Sequence, residues 1–364
     1  MRYWLYCLLL ALAGCTEPEP IRIGLLAGLS DRGSDFGESV RNGVILAVEE
    51  QNQAGGIHGR RIELLVRDDG QDKSKAVQAA RELIALKPEI IIGPVTSSMA
   101  AVVLPLMNEA GQVMISPTVA STNFAGLDDQ FFRVNCTTAE AATQHARLLY
   151  ERGRRRIGLA YDASNLPFSG TWIKAFATAF EQLGGQVSST AGFKSEAGTR
   201  FSAVISELLA ERPDGLILVA SSLDTARLAQ QARRLAPGLP LSSSEWAASA
   251  DALIEMGGSA VDGMLMTHAY DREDTGPAYQ GFRQAFKQRF QREFGSFSLL
   301  AYDTAHVVFA AMKRREKNEP MKSALLKYGP YQGVQQPIQF NPSGDATREV
   351  FFTEIRSGQL VQFK

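Results

Sequence analysis

From Ile21 onward, short apolar runs alternate with stretches of helical periodicity. This alternation limits the architecture more than any other feature. Successive strands joined through a helix run parallel, and the helices then cover both faces of the sheet. Ile21 to Ala27 reads as the first strand. Phe36 to Gln53 follows as a helix, with Val40, Gly43, Val44, Ala47 and Val48 on one stripe and Gly55-Gly56 ending it. Arg61 to Arg67, Glu89 to Gly93 and Val113 to Ser116 read as strands, with helices over 74–86 and 98–110. A short strand, Phe131 to Val134, breaks the rhythm, and the pattern restarts. Helices over 139–151, 170–183, 201–211 and 225–235 alternate with strands over 157–161, 186–190, 215–220 and 239–243. A short helix at 250–256 precedes a strand at 263–267. Two long helices, 277–293 and 298–317, come next, and strand-like pieces near 335–340, 350–355 and 360–363 close the chain. The expected result is two similar α/β halves, each with its own sheet. The helical block returns to the first half and the last strands cap the second.

The chain has 364 residues, the length of roughly two domains. Its formal net charge of -1 speaks against a nucleic-acid partner, which calls for a strongly basic surface. The basic run Arg152, Arg154, Arg155 and Arg156 fits a solvated helix end before a strand, since cations favour helix C-termini. At the start, a positive Arg2 and the apolar run Tyr3 to Ala13 lead into Leu12-Ala13-Gly14-Cys15. That run is too short to span a membrane as a mature helix. It reads as a lipoprotein signal over 1–14, with Cys15 lipidated and a proline-stiffened tether over 15–20. Loss of Cys7 and lipidation of Cys15 leave only Cys136, so the expected body has no internal disulfide and is extracytoplasmic, anchored at its N-terminus.

In open α/β sheets, ligands bind beyond the carboxyl ends of the strands. In the first half those ends carry Leu29-Ser30, "VTSS" at 95–98 and "TVAST" at 118–122; in the second they carry 162–168, Ser221-Ser222 and Glu245-Trp246. A hydroxyl at Ser97 or Ser98, with the free N–H groups of a helix start, suits a carboxylate. Serine is also a favoured N-cap without any ligand, and both readings stand. Glu245, in the neutral setting "SSSEWAAS", is either a cleft acid for an ammonium group or an exposed loop carboxylate. Trp246 either closes over a ligand or fills the loop. His58, His145, His268 and His306 have no metal-ligand spacing. No phosphate loop, G-x-S-x-G elbow or G-x-G-x-x-G occurs. No enzyme, cofactor or metal is expected.

The segments "IRIGLLAGLSDRGSDFGESVRNGVILAVEEQNQAGGIHGR", "IIIGPVTSS", "MISPTVAS", "FFRV", "LDTARLAQQAR", "SEWA" and "DGMLMT" carry a resemblance. In that order and spacing the chain resembles the leucine/isoleucine/valine-binding protein family, the type I periplasmic substrate-binding proteins of ABC importers. The resemblance implies two doubly wound parallel-sheet lobes joined by three crossovers with a cleft between. It sets the first lobe at 21–136 plus 270–338 and the second at 137–269 plus 339–364. The crossings would fall near 134–138, 268–269 and 337–341.

Family site roles transfer residue by residue. Ser97 matches the serine on the ligand carboxylate, with the Val95 backbone close by, and Phe36 an aromatic that covers the ligand. Thr118 and Val119 match the loop that grips carboxylate and ammonium. The family's threonine aligns with Ala120, so either Ser121 or Thr122 stands in or the contact is missing. Thr138 falls where many relatives have Asp, Phe168 where many have Tyr, and Ser221 or Ser222 where branched-chain binders have Tyr. Glu245 matches the acid on the α-ammonium, and Thr96 replaces a cysteine of the relatives' disulfide. The implied activity is capture of an amino acid or related zwitterion or amide by hinge closure, for delivery to an ABC permease. Two alternatives share these residues: a ligand sensor for a membrane kinase or chemoreceptor, and an envelope scaffold without ligand.

Overall fold

A computed structural model describes residues 18–30, 34–247 and 250–363. The expected signal segment and Cys15 lie outside the described residues. The first sheet contains β1 (Ile21–Ala27), β2 (Ile62–Asp68), β3 (Ile90–Ile92), β4 (Met114–Ser116) and β5 (Phe131–Arg133) in the order β2-β1-β3-β4-β5. All neighbours are parallel. Every residue of β3, β4 and β5 is buried, as a sheet covered on both faces requires.

The helix Ser34–Gln53 buries Val40, Val44, Ala47 and Val48 and packs on the helix Ser296–Arg314. Gly43 lets the two backbones approach: a Cβ there would lie 2.1 Å from the Ser298 carbonyl oxygen. Gly37 does the same at the helix start, where a Cβ would lie 1.9 Å from the Gly28 oxygen. That contact holds the first turn, with Phe36, against the loop leaving β1.

The second sheet runs β14-β13-β10-β9-β8-β6-β7. It contains β6 (Arg156–Asp162), β7 (Gln186–Phe193), β8 (Gly215–Val219), β9 (Leu241–Ser243), β10 (Leu265–His268), β13 (Phe351–Arg356) and β14 (Gln359–Phe363). The first five of these are parallel, whereas β13 is antiparallel to β10 and β14 to β13. The second sheet is therefore mixed rather than parallel throughout. The two-residue turn Ser357-Gly358, with φ of 49° and 73°, the left-handed pair that a tight hairpin needs, sets β14 against β13, while β13 enters beside β10 after the chain has returned from the first lobe. Behind this sheet, Trp172 stacks on Phe176 at 5.5 Å and Phe176 on Phe180 at 5.2 Å. All three are fully buried, and burying a side chain of phenylalanine size contributes about 1.5–3 kcal/mol.

Two further elements escaped the sequence reading, the helix Met321–Lys327 and β11 (Tyr331–Gln332), which pairs with β12 (Pro337–Ile338) inside the strand expected near 335–340. The third crossing also lies later than 337–341. Phe340 packs edge-on against Phe132 at 5.2 Å, and Ala346 donates its N–H to the Arg133 oxygen at 3.0 Å. The buried Arg133 guanidinium holds Asp345 at 2.7 Å. The segment up to Ala346 thus stays with the first core, and the chain moves across before Val350, which packs with Cys136 and Ala141. Among the described residues, no helix is long and apolar enough to cross a membrane.

Candidate functional site

Two adjoining spaces lie where the carboxyl ends of the two sheets face each other. The inner one is about 30 Å³, bounded by Phe36, Val95, Thr96, Ser97, Thr118 and Phe297 from the first lobe and by Asn165, Phe168, Glu245 and Trp246 from the second. The outer one is about 290 Å³; Phe36, Thr96, Asn165 and Trp246 belong to both walls. The lobes touch here. Asn165 Oδ1 accepts the Ser98 N–H at 2.9 Å, and the Ala120 oxygen accepts the Thr138 N–H at 2.8 Å.

The sequence builds this wall locally. β3 ends at Ile92, and the helix Ser97–Ala110 begins four residues later with Thr96 as its N-cap residue. Ser97 is thus the first helical residue rather than the cap. Its Oγ accepts only the Ser121 N–H, at 3.4 Å, which leaves the hydroxyl proton able to donate to an anion. Phe36 meets Phe297 at 4.9 Å on one side, and Phe168 meets Trp246 at 5.4 Å on the other. Four aromatic rings therefore frame the inner space. Asn165, Asn135 and Phe297 were not singled out from the sequence. Asn165 lies in the 162–168 stretch beyond β6, where strand-end position was the available signal.

Eight of the expected site residues line the inner space: Phe36, Val95, Thr96, Ser97, Thr118, Phe168, Glu245 and Trp246. Thr118 comes with its hydroxyl proton spent on the Val95 oxygen, at 2.6 Å, so that oxygen can only accept. Its N–H and that of Val119 both go to Ser116 Oγ, at 3.2 and 3.0 Å. The expected backbone grip on a ligand is thus satisfied internally, and Val119 is buried in the first core. Ala120 packs among second-lobe apolar residues including Phe168 and Trp172. Ser121 accepts the Asn123 N–H and caps a single helical turn. Thr138 pairs with Thr171 at 2.9 Å. Ser222 is fully buried. None of Val119, Ala120, Ser121, Thr138 and Ser222 is among the residues lining either space. Ser221 lines the outer space while capping the helix Ser222–Leu235.

Glu245 dominates the electrostatics. It opens a single turn of helix after β9. Its Oε2 accepts Trp172 Nε1–H at 3.0 Å and the Thr267 hydroxyl at 3.5 Å, and its Oε1 is enclosed without a partner. Burial pushes the carboxyl up to about 7, and the hydrogen bonds only partly offset this. A buried acid with one open oxygen offers a place for a cationic group to complete the set.

Two facing α/β lobes with a small aromatic-framed gap and one acid across from a hydroxyl define a two-lobed solute-binding protein. The chain belongs to the periplasmic binding protein family, whose profile matches residues 20–359. It is 24% identical over 359 residues to the Leu/Ile/Val-binding protein BraC3 of Rhizobium johnstonii, covering 94% of this chain and 93% of that protein. Its fold matches the leucine binding protein LivK of Thermotoga maritima with a TM-score of 0.87 at 24% identity, over 94% of this chain and 98% of that one. It also matches the substrate-binding protein LivJ of Streptococcus pneumoniae, solved with isoleucine, with a TM-score of 0.84 at 20% identity, over 94% and 100% of the two chains.

Proposed function

We propose that this protein is an extracytoplasmic solute-binding lipoprotein that captures an amino acid between its lobes and presents it to an ABC importer. The supporting observation is that Ser97 and Glu245, from opposite lobes, border one enclosed space framed by four aromatic rings. The α-carboxylate meets the Ser97 hydroxyl at the positive end of its helix. The α-ammonium meets the open Oε1 of Glu245 and the Thr118 hydroxyl oxygen. Charge-assisted hydrogen bonds of this kind contribute about 1.5–3 kcal/mol each, enough to favour zwitterions over neutral solutes. Contacts made only when the lobes meet, such as Ser98 to Asn165, tie ligand capture to closure. The names of the relatives support amino acids as the ligand class. Calorimetry against amino acids and their amide and decarboxylated analogues tests this. The expected order places intact zwitterions first. Equal binding of an amine that lacks the carboxylate would overturn the assignment of Ser97.

A further inference from the structure

The inner space, about 30 Å³, is roughly a tenth the size of the outer chamber, about 290 Å³, so a side chain that outgrows the first has the second to project into. Apolar Phe36, Leu223 and Trp246 form part of its wall, and much of the rest is polar. Gln71, Ser98, Asp162, Ser164, Ser195 and Ser221 all face it. Methyl groups placed there would strip water from these polar groups and return no hydrogen bonds.

Among the described residues that line the chamber, Asp162 is the one charged side chain, with the Lys75 ammonium beside Gly70 of the wall. Asp162 is almost wholly buried and stands in its wall. Asp224 is buried behind Ser195, whose hydroxyl donates to Asp224 Oδ2. Asp224 Oδ1 has no hydrogen-bond partner but is ion-paired with the Arg227 guanidinium at 3.7 Å, and Asp224 lies behind the wall rather than in it. A third buried acid, Asp69, has an unpartnered Oδ2 and precedes Gly70 and Gln71 of the chamber wall. Among the described residues lining the chamber, none is Lys or Arg. Burial, followed by the charge of Asp224, holds the Asp162 carboxyl above its ordinary range, with hydrogen bonds from Ser164 and Ser195 partly offsetting this. Phe36 and Trp246, with Thr96 and Asn165, belong to the walls of both spaces. Rings so placed suit an alkyl stem carrying a charged tip.

We propose that the outer chamber receives a cationic side chain, so that the preferred ligand is an amino acid ending in an ammonium or guanidinium group. This rests on the amino-acid reading above and specifies its side chain. Asp162 is the specificity-determining partner of the tip.

The test is calorimetry at pH 8 and low salt with arginine, lysine, citrulline and leucine, on the wild type and Asp162→Asn. Asparagine retains the acceptor that Asp162 Oδ1 offers to the Ser164 N–H at 2.8 Å. The expected result is arginine or lysine binding at least about tenfold tighter than citrulline or leucine, the increment of a single charge-assisted contact. In Asp162→Asn that preference collapses, while citrulline affinity stays within about twofold, because the lost contact is to the charge alone. Leucine or citrulline binding as tightly as arginine would overturn this inference and leave the amino-acid reading intact. Equal losses for arginine and citrulline in the variant would overturn the role of Asp162. Absence of binding by every amino acid would overturn both readings. The wild-type panel decides the matter even if the variant folds poorly.

Discussion

The carboxyl of Glu245 supplies the sharpest quantitative test. In the empty protein it titrates at about 7 rather than 4.5, and an ammonium ligand needs it ionised. At pH 5.5 only about 3% would be ionised, a penalty of about 2 kcal/mol, or roughly thirtyfold in affinity. At pH 8 the fraction is about 90% and the penalty nearly vanishes. Affinity should thus rise about tenfold per pH unit between 5 and 6.5 and level off above 7.5. Binding at pH 6 should release close to one proton, read from calorimetry in buffers of different ionisation enthalpy. Stability should move the other way. The folded state holds the Glu245 proton more tightly than the unfolded chain, so stability falls as pH rises from about 4.5 to about 7, by about 3 kcal/mol in all. Glu245→Gln should bind weakly and without this pH dependence, yet the empty variant should melt higher than wild type at pH 8. A wild-type affinity constant from pH 5.5 to 8, with no proton released, would refute the reasoning, because it would mean an acid titrating in the ordinary range.

Three other perturbations have defined outcomes. Ser97→Ala should weaken amino-acid binding about tenfold or more through loss of a charge-assisted bond. The melting temperature of the empty protein should shift by less than about 2 °C, since Thr96 rather than Ser97 is the N-cap residue; a larger drop would assign Ser97 a structural role. Asn165→Ala removes the acceptor for the Ser98 N–H. A net hydrogen bond of about 1 kcal/mol corresponds to roughly fivefold weaker binding, with a larger radius of gyration by X-ray scattering. Arg348→Ala leaves Asp303, its buried partner at 2.6 Å, without its cation. The loss should be about 3–5 kcal/mol in urea denaturation, and a loss below about 1 kcal/mol would contradict the pairing.

Much of the fold is written locally. The stripe from Val40 to Val48 and the unbroken apolar run at Ile90–Ile92 each have one physical solution, a helix on a sheet and a strand covered on both faces. Strand ends and helix starts have sequence marks, which pointed to Ser97 and Glu245, and the family resemblance pointed to Phe36; all three line the inner space. What stayed hidden depends on partners far along the chain. Thr118 and Val119 look available until Ser116, two and three residues earlier, proves to take both N–H groups. Ala120 looks like part of a loop until it joins the buried cluster that holds Phe168 and Trp172 of the other lobe. Asn165 had no mark beyond its position, because its partner is 67 residues away. The late third crossing escaped for the same reason. Phe340 and Ala346 are read as strand and turn until their contacts with Phe132 and Arg133 are known.

The last thirteen residues of the described chain, the hairpin at 351–363, complete a sheet whose other strands were made long before. As the polypeptide emerges N-terminus first, the edge of β10 stays bare until the final segment arrives, and a bare edge invites pairing with other chains. Once the hairpin is made, β14 replaces β10 as the sheet edge, so clipping it would bare the β10 backbone to other chains.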